Sequence, residues 1–489
     1  MEASEPLIVA VDIGTTAVKA ALFDHSLRSV RHTQRRLESR HPQPDWVEQD
    51  ADELFDAVVD AVAELLADAG GEVMACGLDH QGESIVAWDA ETKAALSPNV
   101  VWQCKRSVGI LARLTEQGHA EEIERLTGMP LDPYFSASKL TWLLEELPPV
   151  ADARARGTLR LGTLDAFVCD RLGAGSATDP STASRTQLQR LGATGWDERL
   201  LEIFDLPREA LPAVTDTIGS LGELRHERWP VALPLAARVV DQQAALAGTG
   251  CVEAGMCKGT YGTGVFVLAH VGDTPPEPVG GLLPTVAWTI DGRSEYALDG
   301  GVFTAGALLE WLSGKLGLAP DPPALSALAR TVEDSGGVRV LPALAGVGAP
   351  WWVPEARAVI AGLTAAAGPA QIARAALEGI AWRVADVVET VGTQVEVEAL
   401  RVDGGLTREP LLLQLQADTT GVPVEPMDAD ATVQGAALLA AVGAGVLPSL
   451  PEAAALAEPG ARVEPRRDDA WRAEEHGRWK RFVEGAARL

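Results

Sequence analysis

Three short turns rich in glycine or threonine, each next to an apolar run of strand length, carry the residue types best suited to binding phosphate. They are Asp12-Ile13-Gly14-Thr15-Thr16, Gly259-Thr260-Tyr261-Gly262-Thr263-Gly264 and Asp403-Gly404-Gly405. Glycine lets the backbone approach a ligand closely, so such turns offer backbone N–H groups and hydroxyls to phosphate oxygens. A single turn of this kind is usually only a tight hairpin, but three of them together predict a nucleotide site.

An aspartate accompanies two of these turns, as Asp12 and Asp403. Taken alone, Asp12 would pass for an ordinary turn residue. Beside a phosphate turn it can hold Mg²⁺ through water, because Mg²⁺ binds one or two carboxylates and retains several waters. We therefore expect Asp12 to lie at the metal of the nucleotide site.

Other nucleotide and hydrolase motifs do not occur in the chain. Gly314-Lys315 is followed by Leu316, so there is no G-x-x-x-x-G-K-[ST] loop, and no G-x-G-x-x-G lies at a strand–helix junction. Neither a G-x-S-x-G elbow nor an H-E-x-x-H helix is found. The nucleotide site must belong to another class.

The composition is that of a large globular protein. With 489 residues, of which 47% are hydrophobic and 22% charged, the chain is long enough for two or three domains. The 41 basic and 69 acidic side chains give a formal charge of −28. Because such a surface repels nucleic acid and anionic membranes, we expect neither as a partner.

The cysteines and the N-terminus indicate a cytoplasmic location. The five cysteines are scattered without a CxxC pair, which argues against disulfides or a zinc site and predicts reduced, mostly buried thiols. The N-terminus has no basic segment before its apolar run at 7–11, and no run approaches the length of a membrane span.

Strands and helices alternate around the turns, which predicts an α/β fold. Apolar runs at 7–11 and 18–23 flank the first turn as a hairpin, and strands are expected at 73–78 and 85–88. Between them, Asp50 can cap a helix whose apolar positions keep helical spacing at Leu54, Val58, Val62 and Leu65.

The strand–turn–strand pattern recurs in the second half. A helix at 241–247 precedes strands at 256–258 and 265–269 around the second turn, and a strand at 400–402 and a helix at 410–417 flank the third. Two halves that each contain a strand, a turn and a strand indicate a duplicated fold with a cleft between its domains. We place the boundary near residue 247, with domains at 1–247 and 248–489.

With these motifs the chain resembles the FGGY carbohydrate kinases, and among them the glycerol kinases. The resemblance extends from residue 9 to about residue 479, and its densest patches are at 11–16, 101–106, 132–136, 241–246, 260–264 and 402–405. It implies a duplicated actin-like, ribonuclease-H-like fold and an ATP-dependent kinase that phosphorylates a hydroxyl of a small polyol or sugar. The implied cofactors are ATP and Mg²⁺.

The resemblance also implies a role for individual residues. The resemblance implies that Asp241 is the general base, and that Asp241 and Asp12 hold Mg²⁺ through water. The implied polyol pocket consists of Glu83, Trp102, Tyr134, Asp241, Gln242 and Phe266. The implied ATP site, placed mostly on the second domain, consists of Gly14, Thr15, Thr16, Lys19, Thr260, Gly262, Thr263, Gly306, Glu310, Gly404, Gly405 and Glu409.

The chemistry of a polyol agrees with this set, since each carbon carries a hydroxyl that needs a hydrogen-bond partner while aromatic rings can cover the C–H face. Trp102 and Phe266 by themselves would be read as core residues, and Asp241 as an N-cap of the following helix. Together with Glu83 and Tyr134 they favour a substrate pocket.

Two positions differ from the family pattern. Glycerol kinases usually carry an arginine beside the pocket glutamate, where this chain has Gly82, and an asparagine where it has Glu409. Losing a guanidinium removes several donors and opens space, so a four- or five-carbon polyol or ketose, such as erythritol or xylulose, stays an alternative acceptor. A more remote alternative is an actin-like ATP-binding protein with no small acceptor.

The expected partners are therefore a small polyol or sugar and, as an open alternative, a second copy of the chain in a homodimer.

Overall fold

The computed structural model describes residues 6–67, 70–427 and 430–488. In the first half the elements are β1 Pro6–Ile13, β2 Ala17–Phe23, β3 Ser29–Arg36, β4 Glu48–Gln49, α1 Ala51–Leu66, β5 Glu72–His80, β6 Ile85–Asp89, β7 Asn99–Val100, α2 Val108–Glu116, α3 Ala120–Thr127, α4 Ser136–Glu146, α5 Pro148–Arg156, β8 Leu159–Thr163, α6 Leu164–Arg171, β9 Ala177–Thr178, α7 Pro180–Ala183, α8 Glu198–Phe204, a 3₁₀ turn Arg208–Ala210, β10 Ala213–Val214, β11 Glu223–Leu224, β12 Leu233–Val240 and α9 Asp241–Gly248.

In the second half they are β13 Met256–Tyr261, β14 Val265–Gly272, β15 Leu283–Ile290, β16 Arg293–Val302, α10 Gly306–Glu310, a π-helical turn Trp311–Lys315, α11 Pro322–Ala329, β17 Arg339–Leu341, β18 Val359–Ala361, α12 Pro369–Val391, β19 Ala399–Asp403, a 3₁₀ turn Gly405–Arg408, α13 Pro410–Thr420, β20 Val424–Pro426, α14 Ala431–Gly443, α15 Leu450–Ala454 and α16 Asp469–Ala486.

Each half contains a six-stranded sheet, and five of its strands are arranged in the same way in both halves. The first sheet has the order β11-β12-β5-β1-β2-β3 and the second the order β15-β16-β14-β13-β19-β20. In each sheet two strands form an antiparallel hairpin, β1–β2 in the first and β13–β14 in the second. On one side of the hairpin a further antiparallel strand is added (β3 or β16), and on the other side a parallel strand (β5 or β19). The predicted duplicated α/β fold is confirmed, and the same edge of each sheet carries a glycine turn.

Local sequence explains the elements that support the first turn. The apolar face of α1 is buried through the predicted Leu54, Val58, Val62 and Leu65, and Asp50 caps the helix by accepting from the N–H groups of Asp52 and Glu53. The strands at the cleft are longer than predicted: β1 continues to Ile13, β5 to His80 and β13 to Tyr261. Asp12, Gly259 and Thr260 therefore lie in strands, and the second turn proper is at 262–264.

A shared core joins the halves, because α14 of the second half packs on α9 and on the first sheet. The helices approach at small residues: a Cβ on Gly435 would lie 1.7 Å from the carbonyl oxygen of Ala244, and one on Gly248 would lie 1.9 Å from that of Ala431. The boundary near residue 247 thus falls in this packed region and stays a prediction.

The five cysteine thiols are free and buried, as predicted. In the part of the chain that the structure describes, no helix is long and apolar enough to cross a bilayer.

Candidate active site

A cavity of about 110 Å³ lies between the two halves. Pockets for drug-sized ligands enclose roughly 300–1,000 Å³, so this cavity suits a molecule of a few carbons. Its wall contains the six residues predicted for the polyol pocket, namely Glu83, Trp102, Tyr134, Asp241, Gln242 and Phe266. A larger groove of about 610 Å³ near the ends of α12 and α13 contains none of the predicted residues.

Aromatic and carboxylate side chains together line the cavity. Trp102 and Tyr134 pack edge to face with ring centroids 5.6 Å apart, and Lys139 donates to the carbonyl oxygen of Tyr134 at 2.6 Å. Burial lowers the pKa of Lys139 to about 7. These contacts hold the apolar wall that would cover the C–H face of a substrate.

Glu83 is held in an uncommon backbone conformation. Its φ is 54°, and the Ser84 N–H donates to the carbonyl oxygen of Gly82 across it at 2.7 Å. Left-handed φ in a non-glycine residue costs free energy and persists where the surroundings enforce it, often at functional sites. Here the turn directs the Glu83 carboxylate towards Arg185, whose Nε donates to it at 2.6 Å.

Asp241 is the first residue of α9, and its side chain accepts from the N–H of Gln242 at 2.7 Å. The N-cap position itself is Val240. Burial, reinforced by the carboxylates of Glu83 and Asp12, raises the pKa of Asp241 to about 7. A carboxylate with a pKa near neutrality can both take and hold a proton at working pH, which is the property that a general base needs.

The first glycine turn is anchored to the cavity wall. Trp102 Nε1 donates to Thr15 Oγ1 at 3.1 Å, and Gln49 Nε2 donates to the Thr15 carbonyl oxygen at 2.6 Å. Gln81 accepts from Thr15 Oγ1 at 3.2 Å. A polar cluster that sequence reasoning missed therefore fixes the turn beside Trp102, while Thr16 is exposed at its tip.

Carboxylates from the neighbouring strands β1 and β5 lie beside this turn. Asp12 and Asp79 are register partners in the parallel pair β1–β5, and both are buried. Burial raises the pKa of both carboxyls, and for Asp79 the neighbouring Asp12 adds to the effect. Lys19 offsets only part of this charge, since its Nζ lies 3.4 Å from Asp12 Oδ2 and 2.6 Å from Asp430 Oδ2.

These groups fit a divalent cation. Both carboxylate oxygens of Asp79 are buried without a hydrogen-bond partner among the described residues, which is costly unless a cation or water satisfies them. No described group of three or more His, Cys, Asp or Glu side chains is arranged to ligate a metal directly. That combination suits Mg²⁺, which keeps most of its waters.

The second and third turns meet on the other side of the cleft. Gly262 and Thr263 carbonyl oxygens accept from the N–H groups at the start of α10, including Gly306 N–H at 3.0 Å. Gly404 has a φ of 95°, and a Cβ there would lie 2.4 Å from the Tyr261 carbonyl oxygen. Gly404 is thus required by the backbone, whereas Cβ atoms on Gly262 or Gly405 would meet nothing within 4 Å.

Two residues predicted for the ATP site have other contacts. Glu409 caps α13 through the Leu411 N–H at 3.0 Å and pairs with Arg330 at 2.6 Å. Glu310 is exposed at the end of α10. Their contacts with nucleotide stay predictions, and so do those of all the other residues predicted for the ATP site.

Three buried residues of the site were missed by sequence reasoning. Arg185 pairs with Glu83 and, at 3.0 Å, with Asp299 on β16, and both line the cavity. Lys258 on β13 donates to Gln242 Oε1 at 2.6 Å and to Thr260 Oγ1 at 3.0 Å. Arg185 lies far in sequence from both of its partners, and for Lys258 and Asp299 only the alternation of β13 and β16 could have indicated that they point inwards.

Comparison with protein families decides the class. Residues 7–248 match the N-terminal domain of the FGGY family of carbohydrate kinases, and residues 257–444 match the C-terminal domain of that family. The chain belongs to the FGGY family of carbohydrate kinases. The FGGY resemblance stated from the sequence is thereby confirmed, and with it the expectation of an ATP-dependent kinase.

Individual FGGY kinases are similar to this chain over nearly its whole length. Glycerol kinase from Halorhodospira halophila is 43% identical over 448 residues, covering 90% of this chain and 88% of its own. Glycerol kinase from Nitratidesulfovibrio vulgaris is 40% identical and covers 98% of both chains. The crystal structure of Plasmodium falciparum glycerol kinase with ADP superposes with a TM-score of 0.94 at 28% identity, covering 99% of both chains.

The open space at Gly262 gives a test of the nucleotide site in this FGGY kinase. Gly262→Ala should fold normally, because its Cβ meets no atom within 4 Å, yet it should weaken ATP binding by obstructing the approach of phosphate to the turn. We expect the KM for ATP to rise about tenfold or more with an unchanged melting temperature. An unchanged KM for ATP would remove this turn from the nucleotide site.

Proposed function

We propose that this FGGY kinase transfers the γ-phosphoryl group of ATP to a hydroxyl of glycerol. The observation that carries the proposal is the small cavity that Asp241 lines together with Glu83, Tyr134 and the aromatic residues Trp102 and Phe266. Its size and its mixture of carboxylates and rings suit a three-carbon polyol. The relatives named glycerol kinase at 43% and 40% identity support the same substrate.

The reaction follows from the placement of Asp241. Its carboxylate would accept the proton of the acceptor hydroxyl as that oxygen bonds to the γ-phosphorus and the bond to the β–γ bridging oxygen breaks, releasing ADP. Phosphoryl transfer requires mainly alignment and charge stabilisation. The turns at 14–16, 262–264 and 404–405 would align the phosphates, and the cavity would align the hydroxyl.

Asp12 and Asp79 would hold Mg²⁺, with Asp241 in contact with it through water. The ion would neutralise charge on the phosphates. Lys19 would keep its position between Asp12 and Asp430, and Lys258 would keep Gln242 oriented towards the cavity.

An acceptor panel tests the proposal. ADP release is measured with Mg²⁺, ATP and, in turn, glycerol, erythritol, xylulose and no acceptor. We expect glycerol to give the highest kcat/KM, with little ADP released when the acceptor is omitted. A higher kcat/KM for a four- or five-carbon acceptor would replace glycerol as substrate, and acceptor-independent ADP release would favour the ATP-binding protein without a small acceptor.

Gly82 lines the cavity beside Glu83 and should influence acceptor size. Its φ lies outside the left-handed region, but a Cβ there would meet Val240 Cγ2 at 2.6 Å, so a side chain requires this valine to move. Gly82→Arg should lower the KM for glycerol about tenfold, the effect of one hydrogen bond to a charged group, and weaken activity on longer acceptors.

Gly82→Ala is the matched control, because it moves Val240 without adding a guanidinium. If Gly82→Arg and Gly82→Ala rank the acceptors as the unmodified protein does, another residue sets the selectivity.

A further inference from the structure

Arg185 has one polar atom that the protein leaves without a partner. Its Nε donates to Glu83 Oε1 at 2.6 Å, and its Nη2 lies 3.0 Å from Asp299 Oδ2 and 3.4 Å from Tyr134 Oη. Nη1 is buried and has no hydrogen-bond partner among the described residues. Since the other two nitrogens are held and the guanidinium is planar, the direction of Nη1 is fixed as well.

Asp299 shows the complementary feature. Its Oδ2 forms an ion pair with Arg185 at 3.0 Å, while its Oδ1 is buried and, within the described chain, has no hydrogen-bond partner. Arg185 comes from the segment after α7 in the first half, and Asp299 from β16 in the second half. The ion pair therefore joins the two halves, and it leaves one donor and one acceptor on residues that line the cavity.

These two residues differ from the other buried residues with unpartnered polar atoms, because they alone among those described line the cavity. An unsatisfied buried polar atom is costly, more so on a charged group, so a native protein usually supplies a partner from outside the chain. A hydroxyl of a substrate satisfies both atoms at once, since it accepts one hydrogen bond and donates another.

We propose that Arg185 Nη1 and Asp299 Oδ1 together bind one hydroxyl of the acceptor, a different one from the hydroxyl that Asp241 deprotonates. The inference rests on the proposed function and adds the residues that select for a further hydroxyl. It also gives the polyol a guanidinium partner in a chain where residue 82 is glycine. Arg185 and Asp299 would thus discriminate glycerol from diols that lack that hydroxyl.

The test compares substrates as well as variants. kcat/KM is measured for glycerol, propane-1,2-diol and propane-1,3-diol with the unmodified protein, Asp299→Asn and Arg185→Lys. The unmodified protein should prefer glycerol to at least one diol by about tenfold to a hundredfold, the effect of a hydrogen bond to a charged group. In Asp299→Asn and Arg185→Lys that preference should shrink to a few-fold, because glycerol loses the contact and the diol has none to lose.

Glu425→Gln is the matched control. Glu425 is a buried carboxylate of the second half, paired with Arg401 at 3.1 Å and outside the cavity. Its substitution should change stability but leave the preference for glycerol over the diols as it is.

Equal losses for glycerol and both diols in Asp299→Asn would mean that the ion pair acts only in folding or is satisfied by water, and the proposal would be overturned. The unmodified protein alone also tests it: similar kcat/KM values for glycerol and both diols would exclude the contact even if the variants fail to fold. If the unmodified protein phosphorylates none of the three, the proposed function fails instead.

Discussion

Asp241→Asn should reduce kcat by about two to four orders of magnitude, the usual effect of losing a positioned proton acceptor. The amide keeps the size of the side chain and can still accept from the Gln242 N–H, so the start of α9 should be preserved. ATP binding, measured by titration calorimetry, should stay within a few-fold. A kcat within a few-fold of the unmodified protein would show that another group takes the proton.

The same variant should be more stable than the unmodified protein at alkaline pH. The folded protein retains a proton on Asp241 up to about pH 7, whereas the usual pKa of this carboxyl is 3.8. The folded state therefore loses stability relative to the unfolded state as the pH rises from about 4 to 7, and the full cost is present above pH 7. Asparagine is neutral throughout and avoids this cost.

Thermal melts without nucleotide or metal provide the measurement. The melting temperature of Asp241→Asn should exceed that of the unmodified protein by a few degrees at pH 8, and the difference should vanish near pH 4. A difference that does not change with pH would mean that burial of the Asp241 charge is not the cause.

Asp12→Asn should have the second largest effect. Removing one of the two carboxylates that would hold Mg²⁺ should lower kcat by about two orders of magnitude, because a bound cation stabilises the transition state by several kcal/mol. The Mg²⁺ concentration for half-maximal rate should rise as well. Mn²⁺ binding in the presence of ADP, followed by electron paramagnetic resonance, gives a readout that does not depend on turnover.

Asp79→Asn should also raise the Mg²⁺ concentration for half-maximal rate, but by a smaller factor than Asp12→Asn, since Asp12 remains. Glu53→Gln is the control, because Glu53 is an exposed carboxylate paired with Arg40 on the surface of the first half. Unchanged Mg²⁺ dependence and Mn²⁺ binding in Asp12→Asn would place the metal elsewhere.

Much of the fold could be predicted because its signals are local. Apolar runs and glycine turns indicate the two hairpins, and the spacing of Leu54, Val58, Val62 and Leu65 indicates α1. The repeat of strand, turn and strand then indicates the duplication. Strand ends were less accurate, since β5 continues through the buried polar residues Asp79 and His80, and β13 through Gly259 and Thr260 of the glycine-rich segment.

The site could be predicted only where motifs are compact. Arg185 reaches Glu83 across 102 residues of sequence, and nothing in its neighbourhood indicates a substrate cavity. Asp79 becomes important only because the β1–β5 register places it beside Asp12. Register and burial depend on tertiary packing. Sequence patterns therefore identified the hairpins but not the contacts among charged side chains at the site.

Product analysis tests the central claim most directly. The purified protein is incubated with Mg²⁺, ATP and glycerol, and the mixture is followed by phosphorus NMR beside Asp241→Asn. We expect ADP and a phosphate monoester on a carbon-bound oxygen of glycerol in equal amounts, formed by the unmodified protein and nearly absent with the variant. ADP accompanied by inorganic phosphate, or no reaction with glycerol at all, would contradict the assignment of this cavity as a polyol phosphorylation site.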